Sequence, residues 1–312
     1  MTIDYNPMND VLFKFIFGKE ERKYITIDFI NAMLNRSEEN EITDIEFKNV
    51  EMLPLEAEGK LTRLDVFCIL NSGEKLDLEI QVANQQNMGR RTLYYWAQMY
   101  LFSLKRGEDY GQLIPTITIN LLNYNFLPQE NPHAMYGVYN ILNKHKLTND
   151  LELHFYEIPK FKKKPVSEMT RAEKWLAYFA KKLTKEEASD MGEAAITSAF
   201  EAVNNFMLSE EQRLAYINRE MSIMDYNTNM RISREEGLEK GMKKGIEKGI
   251  EKGIEKGILT SLRRMMRTLK LSPESAMDAL EITGDDRKKY FKELKCTQGS
   301  GHDETKGCAF KK

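Results

Sequence analysis

Residues 63–82 read Arg63-Leu64-Asp65-Val66-Phe67-Cys68-Ile69-Leu70-Asn71-Ser72-Gly73-Glu74-Lys75-Leu76-Asp77-Leu78-Glu79-Ile80-Gln81-Val82, two largely apolar runs around a short polar turn. Runs of this kind bounded by Asn, Ser and Gly predict a β-hairpin. Side chains alternate faces along a strand, so Leu64, Val66 and Cys68 fall on one face and Arg63, Asp65 and Phe67 on the other. On the second strand Leu78, Ile80 and Val82 oppose Asp77, Glu79 and Gln81. Two registers are open. A two-residue turn of Ser72-Gly73 sets Asp65 opposite Ile80. A three-residue loop of Asn71-Ser72-Gly73 sets it opposite Glu79, with the Cβ atoms about 4.5–5.5 Å apart, and Gly73 suits the left-handed position such loops need. Carboxylates placed face to face repel, and a divalent cation would reverse that cost. Gln81, on the same face, is suited to position water or phosphate but not to act as a strong base. The same alternation is also the ordinary pattern of a half-exposed strand whose charged face is solvated, so the spacing alone does not define a site.

Working outward, Met8, Leu12, Phe13, Ile16 and Phe17 fall at helical spacing and stop at Gly18. A second helix is expected through Ile25, Phe29, Ile30, Met33 and Leu34, then strand character over 42–50. Beyond the hairpin (strands over 61–70 and 75–82) come a helix over 90–106 and strands over 113–122 and 151–158. This order predicts one mixed α/β domain over residues 1–160. The basic break Lys160-Phe161-Lys162-Lys163-Lys164-Pro165 precedes a helical region, 161–232, read as an appendage with Trp175, Leu176 and Phe179 as its apolar stripe.

Residues 233–260 hold a repeat, with Gly237, Gly241, Gly245, Gly249, Gly253 and Gly257 four apart in Glu-Lys-Gly-Ile units. On a helix each step of four advances the row by about 40°, so it winds slowly around the axis. Each glycine costs roughly 1 kcal/mol of helix propensity against alanine. One reading is a self-association stalk and possible homo-oligomer; the other is a solvated, weakly helical linker expanded by repetition. The Glu and Lys in every unit rule out lipid-facing packing. Further helices are expected over 261–295, and a disordered tail over 296–312.

Composition limits the alternatives. With 41% hydrophobic and 30% charged residues and a net charge of -2, the chain is an ordinary soluble protein without a global basic surface, though a local basic face is compatible with DNA. Three cysteines, Cys68, Cys296 and Cys308, make no disulfide framework and point to a reducing compartment. No apolar run approaches the ~18 residues of a membrane span, and the charged N-terminus is unlike a secretory signal, so a cytoplasmic location is expected. His133, His145 and His154 share no ligand spacing and read as isolated structural histidines. Zinc is not expected.

The hairpin and its surroundings resemble a known family. Arg63-Leu64-Asp65-Val66 followed by Asp77-Leu78-Glu79-Ile80-Gln81-Val82 is similar to the core of the Rpn recombination-promoting nucleases, also described as PD-(D/E)XK nuclease family transposases. Asn9-Asp10, Phe13-Lys14 and Phe17-Gly18 resemble the family's opening. Arg90-Arg91, Tyr94-Tyr95, Gly107-Glu108-Asp109-Tyr110 and Leu113-Ile114-Pro115 resemble its central helix and next strand. Leu151-Glu152-Leu153-His154-Phe155 through Pro159-Lys160-Phe161 resembles its last core strand. The resemblance covers roughly residues 4–258 and lies in the order and spacing of the motifs rather than in any single one. It implies a restriction-endonuclease-like α/β fold, a mixed central sheet flanked by helices, here followed by a helical C-terminal region. It also implies Mg2+-dependent DNA cleavage (Mn2+ or another divalent ion serving as well), with Asp65 and Glu79 as metal ligands. Gln81 stands where many members of the wider superfamily carry lysine, which leaves the general base unassigned. For a further acidic residue, Asp10, Asp28 and Glu56 are candidates.

Arg90, Arg91, Lys162, Lys163 and Lys164 are candidate DNA contacts, set against a solvated helix start and a solvated linker. Tyr94, Tyr95 and Trp96 fit a core better than base stacking. The rival readings are a noncatalytic DNA- or protein-binding assembly module and a degenerate mobile-element remnant.

Overall fold

The computed structural model describes residues 5–52, 62–84, 86–104 and 107–298. Glu56 and Cys308 lie outside the described residues, as do 299–312 of the expected tail. The chain divides into two compact units, residues 1–228 and 229–312.

The first unit begins with α1 (Asp10–Phe17), where the Asn9 side chain accepts from the Val11 and Leu12 N–H groups and Gly18 caps the end. The N-cap satisfies amides that the first helical turn leaves unpaired. α2 (Lys23–Met33) follows, then β1 (Ile45–Phe47), β2 (Glu51–Met52), β3 (Thr62–Arg63), β4 (Val66–Leu70) and β5 (Lys75–Gln81). After α3 (Met88–Leu101) come β6 (Thr116–Leu122), β7 (His133–Tyr139) and β8 (Lys146–Glu157). The helices α4 (Arg171–Phe179), α5 (Lys185–Asp190), α6 (Ala194–Leu208) and α7 (Glu210–Thr268) complete it, α7 ending in the second unit.

A six-stranded sheet has the order β1-β4-β5-β6-β8-β7, and β2 pairs with β3 in a separate ribbon. β5, β6 and β8 are parallel, while β4 is antiparallel to β1 and β5, and β7 to β8. One face carries Val66, Cys68, Leu76, Leu78, Ile80, Ile117 and Ile119 into the main core with α1, α2, α4 and α6. Phe17 meets Phe29, Trp175 and Phe179 there, at ring-centroid distances of 5.1, 5.6 and 5.9 Å. The helices after residue 160 therefore share the core of the sheet domain instead of hanging from it, because the Trp175 and Phe179 stripe is what covers α1 and α2. α3 covers the opposite face, with Tyr95 and Met99 on Leu64 and Phe67. This is the mixed, helix-flanked sheet expected.

Four details differ from the sequence reading. The expected strand over 61–70 breaks at Leu64-Asp65. Leu64 donates its N–H to the Val50 carbonyl (2.9 Å) and packs with Phe67 and Tyr95 on the α3 face, not with Val66 and Cys68. β7 went unread because it is an edge strand, half exposed, with a register shift around Gly137 that blurs its alternation. β8 starts earlier than expected because residues before 151 pair with β7. His133 and His154 are not isolated: Nε2 of one lies 3.0 Å from Nδ1 of the other, with the rings stacked.

In the second unit the end of α7 packs with α8 (Pro273–Ala279) and α9 (Gly284–Gln298) through Leu259, Leu262, Met277, Tyr290 and Leu294. The glycine repeat lies wholly within α7, and a Cβ added at any of its six glycines would meet nothing within 4 Å.

Candidate active site

The register of the hairpin is the three-residue one. Leu70 N–H donates to the Glu74 carbonyl at 2.9 Å, and Gly73 closes the loop at φ +93° with its own N–H on the Leu70 carbonyl. Val66 pairs with Leu78 and Phe67 with Asp77, so continuing the register sets Asp65 opposite Glu79. The 70/74 pair is a hydrogen-bonded one, through the Leu70 N–H, and alternation makes 65/79 a pair of the close, non-hydrogen-bonded kind, in which side chains come nearest.

At this point side chains replace the ladder. The Asp65 N–H donates to Glu79 Oε1 (3.1 Å), and the Ile80 N–H donates to Asp65 Oδ2 (3.0 Å). The Asp65 carboxylate thus takes the Ile80 amide that a regular hairpin would give to the Leu64 carbonyl, and the Asp65 amide, which a close pair would point away from β5, turns to Glu79 instead, so the regular ladder of β4 begins only at Val66. The exchange fixes both carboxylates at the C-terminal end of β5, the end where parallel sheets present ligand sites. Two cations complete it. Lys14 Nζ lies 2.8 Å from Asp65 Oδ1, and Arg91 Nη2 lies 3.0 Å from Glu79 Oε2. Arg91 Nη1 also donates to Gln81 Oε1 at 2.6 Å, and its guanidinium carbon sits 5.0 Å from the centre of the Tyr95 ring. Gln81 therefore accepts through its oxygen and keeps its amide N–H groups as donors, one of them in a long 3.5 Å contact with the Ala83 carbonyl.

The polar stripe continues inward along β5. Asp77 is buried, and neither of its carboxylate oxygens has a hydrogen-bond partner among the described residues. Lys75, also buried, donates to the Met99 carbonyl and Ser103 Oγ at 2.8 Å each. Across the parallel pairing, Asn120 neighbours Glu79 and is held by the Thr92 hydroxyl (3.2 Å) and the His154 carbonyl (3.0 Å). Burial pushes the Asp77 carboxyl well above the usual carboxylate range; the negative charge of Asp65 adds to this and Arg91 opposes it. Glu79 is raised by burial, then by Asp77 and Asp65, against the pull of Arg91 and the Asp65 N–H. Burial lowers Lys75.

The donor set suits a hard divalent cation. Asp65 lies opposite Glu79 across the hairpin, Asp77 lies two residues before Glu79 on the same strand face, and the two unpartnered oxygens of Asp77 are of the kind a cation or its waters would satisfy. Among the described residues, no three Asp, Glu, His or Cys side chains lie together so as to hold a metal ion. The oxygens of Asp65 and Glu79 are engaged by Lys14, Arg91 and two backbone amides instead.

Of the other residues singled out from sequence, Asp10 pairs with Arg219 at 2.6 Å and Asp28 with Arg171 at 2.8 Å, so both are engaged by arginines rather than by the site carboxylates. Arg90 is exposed, one residue from Arg91. Lys163 and Lys164 pair with Glu187 and Glu173, at 3.3 and 2.8 Å. Lys162 lines a cavity of about 670 Å3 with Arg36, His133 and Arg171, and that cavity contains none of Asp65, Asp77, Glu79 or Gln81. The reading from sequence gave no role to Lys14, Lys75, Asp77 or Asn120. Lys14 carried a signal, a lone cation inside the Leu12–Phe17 apolar helix. The other three look like the solvated half of an alternating strand until α3 is seen to cover them.

A mixed sheet with helices on both faces, carrying the Asp…Glu-x-Gln pair on a central hairpin, defines a restriction-endonuclease-like PD-(D/E)XK fold. The chain belongs to the PD-(D/E)XK nuclease family transposases, whose family model matches residues 7–233. No curated protein and no solved structure matches it. Membership makes it a nuclease-type hydrolase of a family whose substrate is DNA and whose enzymes generally use divalent metal ions. No helix among the described residues is long and apolar enough to cross a membrane.

Proposed function

We propose that this protein is a Mg2+-dependent DNA endonuclease that hydrolyses phosphodiester bonds, with Asp65 and Glu79 as the metal-holding pair and Asp77 behind them. The observation that carries the reading is the side-chain-to-amide exchange, in which backbone N–H groups at 3.1 and 3.0 Å from the carboxylate oxygens pin the two opposed side chains in place. When bound, Mg2+ or Mn2+ supplies a Lewis acid and a more acidic water. The chain's own groups do the rest. Gln81, its oxygen tied to Arg91, points donors and so orients a phosphate oxygen or a water lone pair; an amide takes no proton. Arg91 offsets the charge of Glu79 and, with exposed Arg90, offers guanidinium N–H groups to phosphate. Lys14 holds Asp65 and is the ammonium nearest the carboxylate pair, in a site where Gln81 replaces the lysine of the motif. In this reading Lys162 meets DNA backbone farther along, and promotion of recombination follows from nicking. The work is done in the cytoplasm.

The test is nicking of supercoiled plasmid by the purified protein with Mg2+, together with the shift in melting temperature caused by Mn2+. Asp65→Ala and Glu79→Ala should abolish the first, and Glu79→Gln should reduce the second. Unchanged nicking in both alanine variants would refute the assignment. A noncatalytic binder would hold DNA equally in EDTA and never nick it.

We further read the repeat in α7 as a meeting face between two copies. Leu238, Met242, Ile246, Ile250 and Ile254 form an exposed row beside the glycines. Around the helix the rows run Lys, Gly, Ile, Glu. A parallel pair about a two-fold axis sets Ile against Gly and Lys against Glu; an antiparallel pair sets each row against itself. Ridges four residues apart interlock at a crossing of about 50°, which limits the contact to a few repeat units.

A further inference from the structure

Beside Asp65 lies a cavity of about 370 Å3 that the chemistry above leaves unused. Phe15, Phe47, Phe206 and Val11 supply its apolar lining, and Asp65 itself forms part of the wall. Phe15 packs edge-on against Phe206 at 5.0 Å, with the Arg22 guanidinium over its ring at 4.0 Å, so its position is fixed. Phe47 comes from the end of β1 and is only partly buried. Gly18 also lines the cavity and allows α1 to end close to the sheet: a Cβ there would lie 2.8 Å from the Lys14 carbonyl oxygen and 3.5 Å from Val66.

Three lysines border the same cavity. Lys14 is paired with Asp65 and Lys48 with Glu46, while Lys19 has no acidic partner among the described residues. Aromatic lining, ammonium groups and a shared wall with a phosphodiester-cleaving carboxylate match the parts of a nucleotide: a flat base, then a phosphate. The volume lies at the low end of small-ligand sites, which run from about 300 to 1,000 Å3, and a stacked base pair is too large to enter. A base reaches such a cavity only when it is unpaired or turned out of the helix.

We infer that the cavity beside Asp65 receives one unstacked base of the substrate strand, so that the enzyme acts on DNA at unpaired or extrudable nucleotides. The inference rests on the nuclease reading for its substrate. Aromatic stacking recognises any base by its face, so position on the strand is set by lack of pairing rather than by sequence. Lys19 and Lys48 then hold the flanking phosphates of the strand that Asp65 faces.

The experiment uses the full chain and two 30-mer duplexes of one sequence, one fully paired and one with a single unpaired nucleotide. Binding is read by fluorescence anisotropy in EDTA, and cleavage separately with Mg2+. The expected result is binding to the bulged duplex about tenfold tighter, and cutting next to the bulge. Phe47→Leu keeps the apolar volume but loses the ring face, and should bring the binding ratio toward one. Phe47→Tyr should preserve it, and Phe15→Leu serves if the first variant does not fold. Equal binding of both duplexes, or a ratio unmoved by Phe47→Leu and Phe15→Leu, overturns the inference even if both DNAs are cut. Tighter binding of the bulged duplex without cleavage of either would leave the base pocket standing and sink the nuclease reading.

Discussion

Replacing His154 with Gln should make the first unit resist acid better than the natural protein does. His154 sits on β8 with 3% of its surface exposed, and its Nδ1 faces His133 Nε2 at 3.0 Å. Its Nε2 has only Glu152, 3.9 Å away. Burial first, then the proximity of His133 and Arg36, push its pKa down from 6.5 to about 3. The folded pKa is depressed, so below 6.5 the unfolded chain takes up a proton that the folded chain refuses. The stability is therefore fully present above 6.5 and is lost as pH falls toward 3. Each pH unit in that window costs about 1.4 kcal/mol, and between pH 7 and pH 5 the sum is about 2 kcal/mol. Burial lowers His133 as well, and its loss acts in the same direction. The assay is urea unfolding at both pH values, followed by tryptophan emission, since Trp96 and Trp175 both lie in the first unit. The natural protein should lose about 2 kcal/mol more than His154→Gln over this interval. Loss curves that stay parallel, within the roughly 10–15% uncertainty of such extrapolations, would show that His154 already titrates in the folded state.

Three further outcomes follow from other parts of the molecule. Arg91→Met leaves Glu79 buried without its cation and should cost about 3–5 kcal/mol at pH 8. The cost should shrink toward pH 5, where Glu79, already raised, takes a proton, and it should largely vanish in the Arg91→Met/Glu79→Gln double variant, all read by urea unfolding. Phe17→Ala, at the centre of the aromatic cluster, should cost about 3–5 kcal/mol in the same assay. Gly245→Ala with Gly249→Ala should raise helix content by circular dichroism, each adding about 1 kcal/mol of propensity. The same pair should weaken self-association in sedimentation, because the methyl groups fill the groove; unchanged sedimentation of an associated protein would remove the glycine row from the interface.

Local patterns carried much of this fold. Period two over residues 66–82 gave the faces of the hairpin, though it put Leu64 on the wrong one because the strand breaks before Val66, and Gly73 marked the loop that favours Asp65 opposite Glu79. The 3.6-residue stripe ending at Gly18 located α1. These depend on neighbours within a few residues, so the sequence displays them directly. Other features depend on contacts between distant segments. The face bearing Lys75, Asp77 and Glu79 has the alternation of a solvated strand. It is a buried polar stripe only because β5 lies inside the sheet and α3 closes over it. Lys14 reaches Asp65 because α1 packs at the end of β5, and His133 meets His154 because an edge strand with weak alternation folds back on β8. Asp65, Glu79 and Gln81 were singled out by spacing and resemblance together. Which groups neutralise them, and which carboxylate is left buried without a partner, was decided by packing, since charge compensation depends on distances that no local pattern encodes.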